Sequence, residues 1–193
     1  MGAVAALAPW PASVMQYVAL LYSFVLSPGQ RVVMDRLRTT AESVGYRSVR
    51  TLAATGNLVF EADDAELADI EKRLETGFQR DFGKAVDIIA RTADQWRVLA
   101  AANPFPEASE LNGQNVGIRV MRQPLDKSVI DSLGRYCTAG KKIALVNGDL
   151  WMDFAAKPST SKLLPALTTK RLGIGTTRNW NTVRNVAAML AAG

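Results

Sequence analysis

The sequence contains no histidine and only one cysteine, Cys137, among its 193 residues. Without histidine the chain cannot form a Ser-His-Asp or Cys-His nucleophile, a His-ligated zinc site or a histidine-held haem. A single thiol excludes an intrachain disulfide and a cysteine-rich zinc site, and it favours a reducing compartment. An all-carboxylate magnesium site stays formally open, but solvated acids account better for the acidic pairs of this chain. We therefore expect no cofactor and no metal ion.

Long apolar runs and strong charge are also scarce. The first 15 residues are apolar but contain two prolines, and they predict an N-terminal extension rather than a signal or a membrane span. The protein is then expected to be cytoplasmic, with no membrane partner. The net charge of +5 allows a nucleic-acid partner, but the basic residues of segment 31–50 lack the interleaved aromatics of a stacking surface.

Hydrophobic periodicity predicts an α+β fold. The apolar run Tyr17–Tyr22 has the length of a strand, and apolar residues of segment 34–44 recur at helical spacing. Segments 48–54 and 57–61 predict a hairpin, followed by a helix capped by Asp63 or Asp64 and a strand at 85–90. The resulting order β-α-β-β-α-β is ferredoxin-like and defines a subdomain over 16–103.

The second half repeats this pattern after a predicted linker at 104–114. A strand at 115–121, a helix capped by Asp126 and a hairpin over Asn147-Gly148 precede a helix from about Ser161 to Leu172. The hairpins TGNLVFE and NGDLWMDF are alike, which indicates an internal repeat, although chance similarity is a fair alternative. Residues 115–193 are thus predicted to form a second, similar β-α-β-β-α unit with a C-terminal helix.

The first candidate site lies at the end of the first strand. In a ferredoxin-like sheet the first and third strands are antiparallel neighbours, so the loop after Tyr22 should adjoin Thr55 and Asn57. This loop carries Phe24 and Leu26, large apolar residues where a polar loop is usual. Such a loop over a sheet end can form the mouth of a pocket, and packing against a helix is the alternative.

Two helix starts in the second half supply further candidates. In TTRNWNTVR, Thr177 or Asn179 can cap a helix, which leaves Arg178 beside free backbone N–H groups as an anion site; simple capping is the alternative. In PSTSKLLPAL, Lys162 is predicted in the first helical turn. A cation is slightly unfavourable there, which hints at an anionic partner.

Several segments together resemble the bacterial domain-of-unknown-function 1697 family: YVALL, SVRTLAATGNLVFE, NPFPE, STSKLLPAL and TTRNWNTVRNV, with RNWNTV the most specific. The resemblance covers nearly the whole chain from Gln16 and implies a two-part α+β fold with a ferredoxin-like first half, but no established reaction. Relatives carry LRGINVGG after the first strand, whereas this chain has LYSFVLSPG, with Tyr22 at the position of the arginine. The hairpin turn also departs from the family's QSGN.

The loop replacement leads us to expect a small-molecule ligand more apolar than the family's usual one. A cofactor-independent cyclase or isomerase would fit such a site, with Tyr22 or Lys162 as the proton donor or acceptor. The alternatives are a nucleic-acid or nucleotide-binding module and a non-catalytic protein-interaction module, and the oligomeric state is left open. The residues expected to contact the substrate are Phe24, Leu26, Thr55, Asn57, Arg178, Asn179, Trp180 and Asn181.

Overall fold

The computed structural model describes residues 13–22, 25–27, 30–31, 34–52 and 56–192, and only the backbone of 25–27 and 30–31. Phe24 and Thr55 are not among these residues, so the predictions made for them lie outside the described part of the chain.

The first half has the predicted ferredoxin-like topology. Its four-stranded sheet has the order β4-β5-β1-β6, and its strands pair antiparallel. A short hairpin of β2 and β3 follows β1. The elements are β1 Val14–Leu21, β2 Val25–Ser27, β3 Gln30–Arg31, α1 Met34–Ser43, β4 Arg47–Leu52, β5 Asn57–Asp63, α2 Leu67–Phe82 and β6 Ile88–Thr92.

The second half forms another four-stranded antiparallel sheet, with the order β10-β7-β9-β8. The first and third strands of each half are again central neighbours, so the two halves share one strand order. Helix α3 Ala93–Ala101 ends the first half, and α4 Pro106–Asn112 follows it. The elements of the second half are β7 Val116–Met121, α5 Ser128–Gly134, β8 Lys142–Val146, β9 Asp149–Asp153, α6 Thr169–Leu172, β10 Gly175–Asn179 and α7 Trp180–Ala191. The α+β prediction with a second, similar unit is confirmed.

Local chemistry explains where these elements turn. Asn147 and Gly148 join β8 to β9 with φ angles of 51° and 84°. Both residues therefore adopt the left-handed backbone of a type I′ turn, which the Asn-Gly pair favours. Helix α2 ends at Gly83, whose φ of 70° lets its N–H bond to the carbonyl of Gln79.

Three apolar cores hold the layers together. The first lies between one face of the first sheet and helices α1 and α2, with Phe60 and Phe78 among its buried residues. The second lies between the two sheets and includes α3 and α7, with Val18 of the first sheet and Ile118 of the second among its buried residues. The third covers the outer face of the second sheet with α5 and segment 158–172. The central core thus contains residues of both halves and joins them.

Several local predictions were wrong. Asp63 ends β5, and the residue before α2 is Glu66, which makes no side-chain cap. Segment 161–172 is not one helix: it contains a 3-10 turn at 164–166 and the four-residue α6, because Pro165 interrupts a longer helix. Segment 104–114 contains α4, so the division into two subdomains at this linker stays a prediction.

In the described part of the chain, no helix is both long enough and apolar enough to span a membrane.

Candidate functional site

The predicted adjacency of the end of β1 and the start of β5 is observed, while Thr55 and part of the loop after Tyr22 lie outside the described residues. Leu20 pairs with Asn57 in the β1–β5 register, and the N–H of Leu21 donates to the carbonyl of Gly56 at 2.9 Å. The end of the first strand and the start of the third therefore form one edge, as the ferredoxin-like order requires.

Arg178 reaches this edge from the second half of the chain. Its Nε donates to Asn57 Oδ1 at 2.6 Å and its Nη2 donates to the carbonyl of Leu21 at 2.9 Å. Its Nη1 also donates to Thr176 Oγ1 at 2.7 Å. Asn57 in turn donates from Nδ2 to the carbonyl of Leu52 at 2.9 Å. Arg178 is thus a cross-link between the two halves.

The guanidinium of Arg178 is buried and its donors are used by protein oxygens. Burial lowers its pKa to about 10, so it stays cationic at neutral pH. A helix does start here, as predicted, but Arg178 itself belongs to β10, which pairs with β7, and its side chain is buried instead of lying open beside the helix end. Arg178 therefore positions the sheet edge and is not an open anion site.

The residues after Arg178 begin α7. Asn179 is the N-cap, as predicted, and its Oδ1 accepts from the N–H of Thr182 at 2.9 Å. Trp180 donates its backbone N–H to the carbonyl of Gly113 at 3.1 Å. A Cβ on Gly113 would lie 2.4 Å from Asn181 Oδ1, so a larger residue at position 113 would require the Asn181 side chain to move. The Trp180–Gly113 hydrogen bond thus ties the start of α7 to the segment before β7.

Tyr22 is half-buried beyond β1, and its N–H donates to the carbonyl of Asp87 at 2.9 Å. Its side chain lies near enough to Arg119 for the two to interact electrostatically. Arg119 is buried, and burial lowers its pKa. Its Nη2 donates to the carbonyl of Gly173 at 3.2 Å. Of Leu26 only the backbone, in β2, is described. The roles predicted for Tyr22 and Leu26 stay predictions.

Lys162 lies apart from the other candidate residues. It is exposed and lines a cavity of about 200 Å³ with Tyr136 and Arg171, on the outer side of the second half. Because no helix begins at Ser161, the argument that placed Lys162 in a first helical turn was wrong.

A larger cleft opens between α3 and the β8–β9 hairpin. Its volume is about 480 Å³, within the range of small-molecule sites. One wall belongs to the first half of the chain and the other to the second. The lining residues are Arg91, Asp94, Gln95, Val98, Leu99, Ala102, Val146, Asn147, Asp149 and Trp151.

An ion pair forms the polar part of this cleft. Arg91 Nη2 lies 3.3 Å from Asp149 Oδ1, which also accepts from the N–H of Met121 at 2.8 Å. Arg91 Nη2 donates to the carbonyl of Met121 as well. Burial raises the pKa of Asp149, although the nearby Arg91 opposes that rise. Asp149 is therefore a carboxyl group whose proton affinity is increased.

The apolar part of the cleft includes Trp151, whose ring lies 6.0 Å from that of Trp180. A residue predicted for the site thus packs behind one wall of the observed cleft. The sequence reasoning missed the cleft itself, because Arg91 and Asp149 are 58 positions apart. The aromatic residue in the strand DLWMD was the available signal.

A second set of ion pairs lies next to this cleft. Arg122 Nε lies 3.1 Å from Glu71 Oε2, and its Nη2 pairs with Glu75 and donates to the carbonyl of Ile88. Burial raises the pKa of Glu71. These side chains line a cleft of about 360 Å³ that shares Arg91 with the larger one. Arg91 and Arg122 thus join the two halves on this side, as Arg178 does at the sheet edge.

Among the described residues, no group of three acidic or cysteine side chains lies close enough together to hold a metal ion.

Comparison with known proteins gives a family but no activity. A family model described as "Protein of unknown function (DUF1697)" matches residues 14–151. A solved structure titled "The structure of conserved bacterial protein SP0830 from Streptococcus pneumoniae" is similar with a TM-score of 0.72 and 20% identity. The match covers 93% of this chain and 99% of that one. No curated protein matches the chain.

Proposed function

The chain belongs to the DUF1697 family of proteins of unknown function, and within that family we propose that it binds a small organic molecule in the cleft between α3 and the β8–β9 hairpin. The observation that carries this proposal is the combination of a 480 Å³ volume with an apolar wall and a nearly buried ion pair. Ligand sites typically combine apolar walls with a few fixed polar groups.

The lining indicates an amphipathic ligand. Val98 and Val146 offer apolar surface to the body of the molecule, and Leu99 and Trp151, which are nearly buried, contribute small exposed parts of theirs. Both described hydrogen bonds of Asp149 end on Oδ1, so Oδ2 is the oxygen that can meet a polar group of the ligand. This agrees with the rather apolar ligand expected from the sequence, at a different place in the fold.

For the reaction we propose proton transfer within the bound molecule, as in a cofactor-independent isomerase or cyclase. Asp149 is the candidate acid or base, since a buried carboxyl with a raised pKa exchanges protons nearer neutral pH than an exposed one. The Asp149→Asn variant keeps an oxygen for the N–H of Met121. It should bind the ligand and fail to convert it, and conversion at the wild-type rate would rule out this role.

The binding test is a screen of small organic molecules by ligand-observed NMR, followed by Kd measurement on two matched variants. Val98 lines the cleft with 57% of its surface exposed, and Leu111 on α4 is 88% exposed and lies outside the lining. Val98→Glu should weaken binding at least about tenfold by placing a charge on the apolar wall. Leu111→Glu should leave Kd unchanged. Equal Kd values for both variants and the wild type would refute the proposal.

A further inference from the structure

The cavity around Lys162 is a separate feature that the proposed cleft does not use. It measures about 200 Å³ and lies on the outer side of the second half, where segment 158–172 covers the sheet. Its lining residues are Tyr136, Lys162, Pro165, Ala166, Thr168 and Arg171. Two of these six residues are cations and two carry a hydroxyl group.

Both cationic residues lie next to buried residues in the chain. Lys162 stands between the buried residues Ser161 and Leu163, and Ser161 Oγ accepts from the N–H of Leu163 at 3.1 Å. Arg171 precedes the buried Leu172 on α6. Because these neighbouring side chains are buried, the backbone at Lys162 and Arg171 is held in a fixed position beside the cavity that both residues line.

Tyr136 lies beside two arginines at this place. Its Oη accepts from Arg171 Nη1 at 3.3 Å, and the guanidinium carbons of Arg135 and Arg171 lie 5.0 and 5.5 Å from its ring centre. The pKa of Tyr136 is lowered, first by the hydrogen bond from Arg171 and further by Arg135. Three cationic side chains therefore surround or line one small cavity.

Acidic partners do not neutralise these cations within the described ranges. The ion pairs found there involve other residues and include none of Arg135, Lys162 and Arg171. Elsewhere on the molecule, by contrast, Arg47 and Arg97 each pair with an aspartate. The positive charge at this cavity is thus available to an anion from solution.

We propose that this cavity binds the phosphate group of a small phosphorylated molecule. Arg171 presents a planar fork that suits two phosphate oxygens, and Lys162, which lines the same cavity, adds a point charge. The hydroxyl groups of Thr168 and Tyr136 can donate to the remaining oxygens. A nucleic-acid backbone offers the same phosphate chemistry, so the test separates the two sources.

The test is an amide NMR titration of the full chain with inorganic phosphate at constant ionic strength, with chloride as the balancing anion. We expect saturable shifts centred on residues 136, 162, 168 and 171. Lys162→Ala and Arg171→Ala should each raise Kd about tenfold, the loss of one charge-assisted contact. Lys170→Ala is the matched control, because Lys170 is exposed on the same short helix and does not line the cavity.

Three results would overturn the proposal. The first is a linear, non-saturable titration. The second is an equal effect of Lys170→Ala, which would indicate diffuse attraction alone. The third is a short single-stranded DNA that binds through Lys162 and Arg171 while inorganic phosphate does not, which would assign the surface to nucleic acid. The substituted side chains are all exposed, and equal thermal unfolding midpoints would verify that each variant is folded.

Discussion

Replacing Arg178 by methionine should destabilise the protein by about 3 kcal/mol. The change keeps an unbranched apolar stem but removes the donors to four buried acceptors, the carbonyls of Leu21 and Gly56, Asn57 Oδ1 and Thr176 Oγ1. Each buried hydrogen bond contributes about 1 kcal/mol net, and an acceptor left without a donor costs more. Relief from burying the guanidinium acts in the opposite direction, as the lowered pKa of Arg178 indicates.

Urea unfolding at neutral pH measures this loss. With m near 2–3 kcal/mol/M, the midpoint should fall by roughly 1–1.5 M at unchanged m. Arg184→Met is the matched control, because Arg184 is exposed on α7, and its effect should stay within about 0.5 kcal/mol. A loss below about 1 kcal/mol for Arg178→Met, or a gain in stability, would refute the view that Arg178 cross-links the two halves.

Two further predictions concern other contacts. Asp81 accepts hydrogen bonds from Arg80 and Thr40, which lower its pKa to about 2. Its contribution to stability is therefore present above pH 4 and is lost as the pH falls from about 4 to 2. Asp81→Asn should flatten the acid limb of the stability curve, and an unchanged limb would contradict this assignment. Gly148→Ala should reduce the free energy of unfolding by about 1–3 kcal/mol and so lower the thermal unfolding midpoint. The Cβ of the alanine would lie 2.4 Å from the Cβ of Pro124, on a backbone whose φ is 84°. A midpoint equal to that of the wild type would contradict this prediction.

Much of the fold could be predicted because its signals are local. The Asn147-Gly148 turn specifies a hairpin wherever it occurs, and the apolar spacing of α2 follows from one buried face. Strand β10 was missed because its polar residues resemble a helix start. Two of those residues, Thr176 and Arg178, are nonetheless buried and find their partners on the edge of the other sheet. Their burial depends on the packing of the two halves and has no signature in the strand itself.

The candidate site was harder to predict for the same reason. The adjacency of β1 and Asn57 followed from topology and is observed. The cleft arises where α3 of one half faces a hairpin of the other, and its ion pair joins Arg91 to a distant Asp149. No periodicity within either segment indicates such a pair.

The central claim is that the cleft beside Trp151 receives a small molecule. The most direct measurement follows the indole N–H signals of Trp151 and Trp96 while the tightest-binding molecule of the screen is added. Trp151 lines the cleft, whereas the indole N–H of Trp96 donates to the carbonyl of Val183 inside the core. We predict a saturable shift of the Trp151 signal and a much smaller one for Trp96. A Trp151 signal that does not move while the molecule binds would contradict the claim.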